Sequence, residues 1–148
     1  MNTRRILLVE DSSDDEILTL RALRSGRIKN EVDVARDGAE ALDYLFARGA
    51  YSHRDPSDLP QLVLLDIKLP KVDGLEVLGQ IRANEKTRFL PVVLLTSSRE
   101  QQDILDGYSK HANSYIVKPV DSVQFTEAIN QLGLYWLVLN EPPPGGVR

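Results

Sequence analysis

The sequence predicts an α/β fold in which a five-stranded parallel sheet carries helices on both faces. Three observations predict it. Short runs of Val, Ile and Leu recur along the chain, stretches with helical apolar spacing separate them, and each of those stretches opens on a capping pattern. The runs are apolar throughout rather than alternating, as strands buried on both faces must be. Strands that alternate with helices in this way form a parallel sheet.

Taken in order, the first strand is Ile6 to Val9 and ends in Glu10-Asp11. The first helix follows, with Ile17, Leu20 and Leu23 on one face and Ser13 and Glu16 in capping register. The second strand, Val32 to Ala35, is weaker. Its helix carries Leu42, Leu45 and Phe46 behind the pair Asp37 and Glu40. Gly49 to Pro60 is a long polar connection that includes Tyr51, His53, Asp55, Pro56 and Asp58.

The third strand, Leu62 to Leu65, ends in Asp66, and its helix places Leu75, Leu78 and Ile81 behind Asp73 and Glu76. Val92 to Leu95 is the fourth strand, ending in Thr96. Ser98 and Gln101 then open a helix with Ile104, Leu105 and Tyr108. The fifth strand, Tyr115 to Val117, ends in Lys118-Pro119. Asp121 and Gln124 open the last helix, where Phe125, Ala128, Ile129, Leu132, Trp136 and Leu139 fall on one face at 100° per residue. Five capping pairs in register are far stronger evidence than any one of them.

On the opposite face of that last helix lie Val123, Leu134, Leu137 and Val138, which a surface helix would keep polar. An apolar outer stripe marks a contact, so a homodimer through the C-terminal helix region is expected. The competing reading is that Gly133 stops the helix and the remaining residues fold back over the domain. After Asn140, Pro142 to Pro144 with Gly145 and Gly146 suit neither helix nor strand. The chain therefore divides into one domain over residues 4–140 and a flexible tail over 141–148.

Composition removes several function classes. With 148 residues and 42% hydrophobic residues, the chain suits one domain with a real core. A net charge of -4, with no basic run, argues against nucleic acid and anionic lipid as partners. The absence of cysteine excludes disulfides, thiolate metal sites and cysteine nucleophiles. No apolar run is long enough to span a membrane or serve as a signal peptide, so a cytoplasmic location is expected.

In a parallel sheet of this kind the ligand site lies beyond the carboxyl ends of the strands. Glu10, Asp11, Asp66, Thr96 and Lys118 all stand there. Three carboxylates brought together repel one another unless a cation sits among them. An all-oxygen acidic set suits Mg²⁺, which keeps some of its waters and often bridges to phosphate. Singly, each residue has an ordinary explanation as turn former, β-former or helix cap. Only their common placement favours a site. Asp14, Asp15 and Glu16 are read differently, as first-turn acids favoured by the helix dipole and not as ligands. His53 and His111 are read as surface residues, since neither has a partner at ligand spacing.

The chain closely resembles the response-regulator receiver family over roughly residues 4 to 131. The resemblance rests on Leu8-Val9-Glu10-Asp11, on Leu65-Asp66-Ile67-Lys68-Leu69-Pro70 with Asp73-Gly74, on Leu95-Thr96-Ser97, and on Tyr115-Ile116-Val117-Lys118-Pro119. It implies the flavodoxin-like (βα)5 receiver fold, with Asp66 as phosphoacceptor for a phosphoryl group from a sensor histidine kinase. It further implies that Asp11 ligates Mg²⁺ directly, Glu10 holds it through water, and the main-chain carbonyl of Lys68 is another ligand. Thr96 would bond the phosphoryl oxygens, Lys118 would pair with Asp66 and then with the phosphoryl group, and Tyr115 would follow Thr96 as the switch. The peptide bond before Pro119 would be cis.

Glu10 stands where many members carry Asp, a longer arm that still reaches a metal-bound water. The segment Gly49 to Pro60 and the apolar end Leu134-Tyr135-Trp136-Leu137 resemble the single-domain regulators that accompany bacterial phytochrome kinases. Such a protein is a phosphoacceptor and not an enzyme acting on other substrates.

Three other readings fail on particular residues. A phosphatase of the haloacid dehalogenase type needs a second Asp two residues after its nucleophile as general acid, and Lys68 stands there. A flavin or nucleotide module needs a glycine- or hydroxyl-rich phosphate cradle after a strand, whereas the first strand leads into acid. An inert binding module has no need of the complete set that this sequence carries.

Overall fold

The computed structural model of the chain describes residues 5–97, 112–134 and 137. Five strands form one sheet: β1 (Ile6–Val9), β2 (Val32–Ala35), β3 (Leu62–Asp66), β4 (Val92–Thr96) and β5 (Ser114–Val117). Every pairing is parallel and the spatial order is β2-β1-β3-β4-β5. The described helices are α1 (Ser13–Ser25), α2 (Gly38–Phe46), α3 (Gly74–Ala83) and α4 (Ser122–Gln131). The helix expected around Ile104, Leu105 and Tyr108 lies outside the described residues, as do its start at Ser98 and Gln101, His111 and the tail.

The period-2 pleat of each strand divides the core in two. On one face Leu7, Val9, Val63, Leu65, Val92 and Leu94 pack against Leu42 and Leu45 of α2 and Leu78 and Ile81 of α3. On the other, Ile6, Leu8, Leu62, Leu64, Val93 and Leu95 meet Leu23 of α1 and Phe125 and Ile129 of α4. Both faces of the sheet are thus covered, which explains why β1, β3 and β4 carry no polar alternation, while the edge strands β2 and β5 include Asp33 and Ser114.

Three helix starts match the sequence reading. Asp37, Asp73 and Asp121 are N-caps whose side chains accept the N–H of Glu40, Glu76 and Gln124 at 2.7, 3.0 and 2.8 Å. At α1 the register differs by one residue. Ser12, in extended conformation, is the cap and accepts the N–H of Asp15 at 3.2 Å, while Ser13 is already helical.

The last helix corrects a larger expectation. Gly133 adopts φ of 72°. Its N–H bonds Asn130 O at 3.1 Å, and that of Leu134 bonds Ile129 O at 2.9 Å. These are the paired bonds of a Schellman stop. The 100° phase therefore ends at Gly133, and of the residues beyond it the described Leu134 and Leu137 belong to no outer stripe. Leu137 is 0% exposed, and Leu134 packs against the same core. Val123 alone of the four keeps an exposed position, at 67%; Val138 lies outside the described residues, as do Trp136 and Leu139.

The segment after α2 begins with a 3-10 turn, Gly49–Tyr51, and is tied to α2 by aromatic contacts. The Tyr51 ring meets Tyr44 edge-on at 5.3 Å, Arg54 lies 4.0 Å over the Tyr44 ring, and Tyr51 Oη donates to Glu40 Oε2 at 2.6 Å. His53 is exposed, as expected. Among the described residues no helix is long and apolar enough to cross a membrane.

Two glycines bring backbone close to the turn after β3. A Cβ at Gly74 would stand 2.1 Å from Asp66 O, and one at Gly38 would stand 1.8 Å from Val72 O. Neither neighbour is a side chain that could swing aside. Gly79, within α3, has nothing within 4 Å of such a Cβ. Gly74→Ala should therefore destabilise the fold by about 3 kcal/mol through overpacking. Gly79→Ala should stabilise it by about 0.5–1 kcal/mol through helix propensity. Urea unfolding of both variants checks the contrast, and equal effects would refute the assigned packing.

Candidate functional site

The chain order of the strands reverses between β1 and β3, and the carboxyl edge there collects the acidic residues. Val9 pairs with Leu65, so Glu10 and Asp11, which follow β1, stand beside Asp66 at the end of β3. Backbone bonds extend the sheet past its strands at this edge: Glu10 N–H to Ala35 O at 2.9 Å, Ile67 N–H to Leu95 O at 3.1 Å and Lys118 N–H to Thr96 O at 2.7 Å. Thr96, buried at the end of β4, pairs with Val117. Lys118 follows directly, and its bond to Pro119 is cis.

One ammonium group joins the cluster. Lys118 Nζ lies 2.9 Å from Asp66 Oδ2, 3.0 Å from Glu10 Oε1 and 3.0 Å from Asp15 Oδ2. Its aligned hydrogen bond to Glu10 goes to Oε2, at 3.3 Å. Oε1 is therefore close enough for ion pairing yet buried with no hydrogen bond aimed at it. Glu10 Oε2 also accepts the N–H of Ser12, and Asp66 Oδ1 that of Lys68, both at 3.3 Å.

These contacts set the protonation states. Burial pushes the Glu10 carboxyl up to about 7, against the opposing pull of Lys118 and with help from the neighbouring Asp66 charge. Burial alone would lower the Lys118 ammonium, but its bonds to Asp66, Glu10 and Asp15 outweigh that and raise it. The cluster therefore favours the charged form of Lys118 and the neutral form of Glu10.

The residues fit a divalent cation. Carboxylate oxygens of Glu10, Asp11 and Asp66 lie within 4.8 Å of one another, and Asp11 is exposed at the mouth. The donor set is all oxygen, and the undirected Oε1 of Glu10 faces a cost that a cation or its water relieves. Asp11 and Lys68 line one depression of about 440 Å³ beside the turn after β3, together with Ile67, Leu69, Pro70 and Asp73.

Of the residues expected at the site, Glu10, Asp11, Asp66 and Lys118 are brought together, with Lys68 adjoining and Thr96 at the neighbouring strand end. Tyr115 stands farther down β5, opposite Leu94, with 44% of its surface exposed. Asp15 corrects the sequence reading, which left it to the helix dipole and solvent. The signal available was its place three residues after Ser12, which turns it toward the strand ends, but first-turn acids are common for a simpler reason.

The raised Glu10 acid gives a pH dependence. Between about pH 4.5, its ordinary value, and 7 the metal-free folded chain holds a proton that the unfolded chain has released. This contribution to stability is full below that window and is lost as pH rises through it. Urea midpoints across pH 5 to 7.5 should fall more steeply for the wild type than for Glu10→Gln, and parallel profiles would contradict the assignment.

Similar proteins place the chain in a family. A family model described as the response regulator receiver domain matches residues 6–130. The methanogenesis regulatory protein FilR2 of Methanothrix harundinacea, named as probable, is 41% identical over 93% of this chain and 86% of its own. Response regulator Rcp1 of Synechocystis is 37% identical over 89% of this chain and 88% of its own. Its Mn²⁺-bound crystal structure superposes with a TM-score of 0.71 at 36% identity, covering 90% and 94% of the two chains. The bacteriophytochrome response regulator RtBRR is 52% identical with a TM-score of 0.86, covering 98% and 86%. With the acid cluster, the bridging lysine and the sheet order already in place, the chain belongs to the response regulator receiver domain family.

Proposed function

We propose that this chain is a single-domain response regulator of a phytochrome-linked two-component phosphorelay, which accepts a phosphoryl group onto Asp66 and signals through a changed protein-binding surface. The observation that carries the reading is the 2.9 Å contact of Lys118 Nζ with Asp66 Oδ2 inside an otherwise acidic cluster. Such a contact sets a cation beside the Asp66 carboxylate, at the position of an incoming phosphoryl group. The names of RtBRR and its relatives support the link to phytochrome, and a sensor histidine kinase as donor places the chain in the cytoplasm.

In the proposed transfer an Asp66 carboxylate oxygen attacks phosphorus. The bond from phosphorus to the donor's leaving atom breaks, and that atom, the imidazole nitrogen of a kinase phosphohistidine, keeps the electron pair. Asp11 and Asp66 would hold Mg²⁺ directly, Glu10 through water and Lys68 through its carbonyl. When bound, the ion neutralises the carboxylates and the charge on the transferred group. Lys118 pairs with a phosphoryl oxygen once Asp66 is phosphorylated, and the Thr96 hydroxyl donates to another. Tyr115, half exposed on β5, carries the change to the surface.

Acetyl phosphate with Mg²⁺ should add one phosphoryl group in a hydroxylamine-labile bond. Intact-mass measurement should find the added phosphate in wild type and none in Asp66→Asn; equal uptake by both would defeat the assignment.

A homodimer through the C-terminal helix region belongs to the same reading on a narrower base, since Leu137 is in the core and Val123 is the exposed apolar residue of α4. Sedimentation at micromolar concentration should give an association, strengthened by a phosphoryl mimic, that Val123→Glu weakens at least tenfold, a loss of about 1.4 kcal/mol. A monomer in both states ends the dimer and leaves the phosphoacceptor reading intact.

A further inference from the structure

We propose that Asp15 is a positioning residue for Lys118, a carboxylate supplied by the first turn of α1 that holds the ammonium where the phosphoryl group arrives. The inference rests on the phosphoacceptor reading and adds to it a residue outside the acid cluster proper.

The contact is specific. Asp15 Oδ2 lies 3.0 Å from Lys118 Nζ, as short as the contact with Glu10. An ammonium has three hydrogens, and Asp66, Glu10 and Asp15 accept all three. A lysine side chain on a flexible four-carbon stem is thereby fixed in both place and rotation.

The turn that supplies Asp15 is arranged so that its carboxylate is available. In a capping box the third helical residue reaches back to a backbone N–H at the cap. At α2 Glu40 reaches back one residue further, accepting the N–H of Arg36, just before the cap Asp37, at 3.0 Å. At α1 the N–H of Ser12 is already bonded by Glu10 Oε2, and the Asp15 carboxylate turns to Lys118 instead. Its neighbour Asp14, in the same first turn, is exposed.

Asp15 also differs from the other two partners in what the chemistry does to it. Glu10 and Asp66 belong to the oxygen cluster that suits a cation, and Asp66 is further consumed as the nucleophile. Asp15 lies outside that cluster. It is thus the carboxylate free to keep its hold on Lys118 before and after transfer, so the ammonium need only shift from a carboxylate oxygen to a phosphoryl oxygen.

The test uses the full chain with Mg²⁺ and two small donors, acetyl phosphate and phosphoramidate, and follows phosphate uptake by intact mass. Asp15→Asn should slow uptake about tenfold from both donors, with Asp15→Glu restoring most of the rate. Asp14→Asn, which removes the same charge from the same turn, should change it less than twofold. In a Lys118→Ala background Asp15→Asn should add no further loss.

A second readout needs no phosphorylation. The side-chain NH3⁺ of Lys118 should give a resolved nitrogen–proton correlation in wild type that exchange with water erases in Asp15→Asn. An equal loss of rate in the Lys118→Ala background would overturn the proposal. So would acceleration confined to the more highly charged donor, or an unchanged Lys118 signal. Failure of wild type to take phosphate would overturn the phosphoacceptor reading alone, and the Lys118 signal would still decide the role of Asp15.

Discussion

The site depends on one electrostatic constraint: a single ammonium, Lys118 Nζ, must hold together carboxylates from β1, β3 and α1 that would otherwise repel. Without it the buried Glu10 and Asp66 would be isolated charges in a low dielectric, among the most costly arrangements in a protein interior. The lysine arrives from β5, at the far side of the sheet from β1. Every element whose end must reach the cluster is therefore tied in place by this contact as well as by its backbone ladder.

The balance left over explains why the arrangement accepts more charge. Glu10, Asp11, Asp66 and Asp15 face one lysine, so the cluster is short of positive charge, and burial, with the Asp66 charge adding to it, pushes the Glu10 carboxyl up to about 7. A divalent cation among them would displace a proton from Glu10 and supply the missing charge at the same time. Metal binding and proton release would then be one coupled event.

Most of this was legible in the sequence, because strands buried on both faces are apolar throughout and their ends stand out as the first charged residue after each run. Glu10, Asp66 and Lys118 were visible in that way and Thr96 as the hydroxyl that ends its run, while the capping pairs marked Asp37, Asp73 and Asp121. Asp15 was not. Its role follows from a helix phase set by Ser12 rather than Ser13, and adjacent serines offer equal capping chemistry. The last helix misled for a related reason. A 100° projection assumes one continuous helix, and the left-handed turn at Gly133 sends Leu134 and Leu137 into the core. The stacking of Tyr51 and Arg54 on Tyr44 leaves no periodic mark at all, since it joins a helix to an irregular segment.

The close approaches at Gly38 and Gly74 give the domain a stiff side. They wedge the start of two helices against the backbone of the turn that follows Asp66, with no side chain between to compress or rotate. On the β4 and β5 side, among the described residues, no glycine makes such an approach, and Tyr115 keeps part of its ring in water. A new charge at Asp66 would therefore meet close-packed backbone on the flank of Gly38 and Gly74 and a partly exposed ring on the flank of Tyr115. Two missing methyl groups would then set which flank gives way.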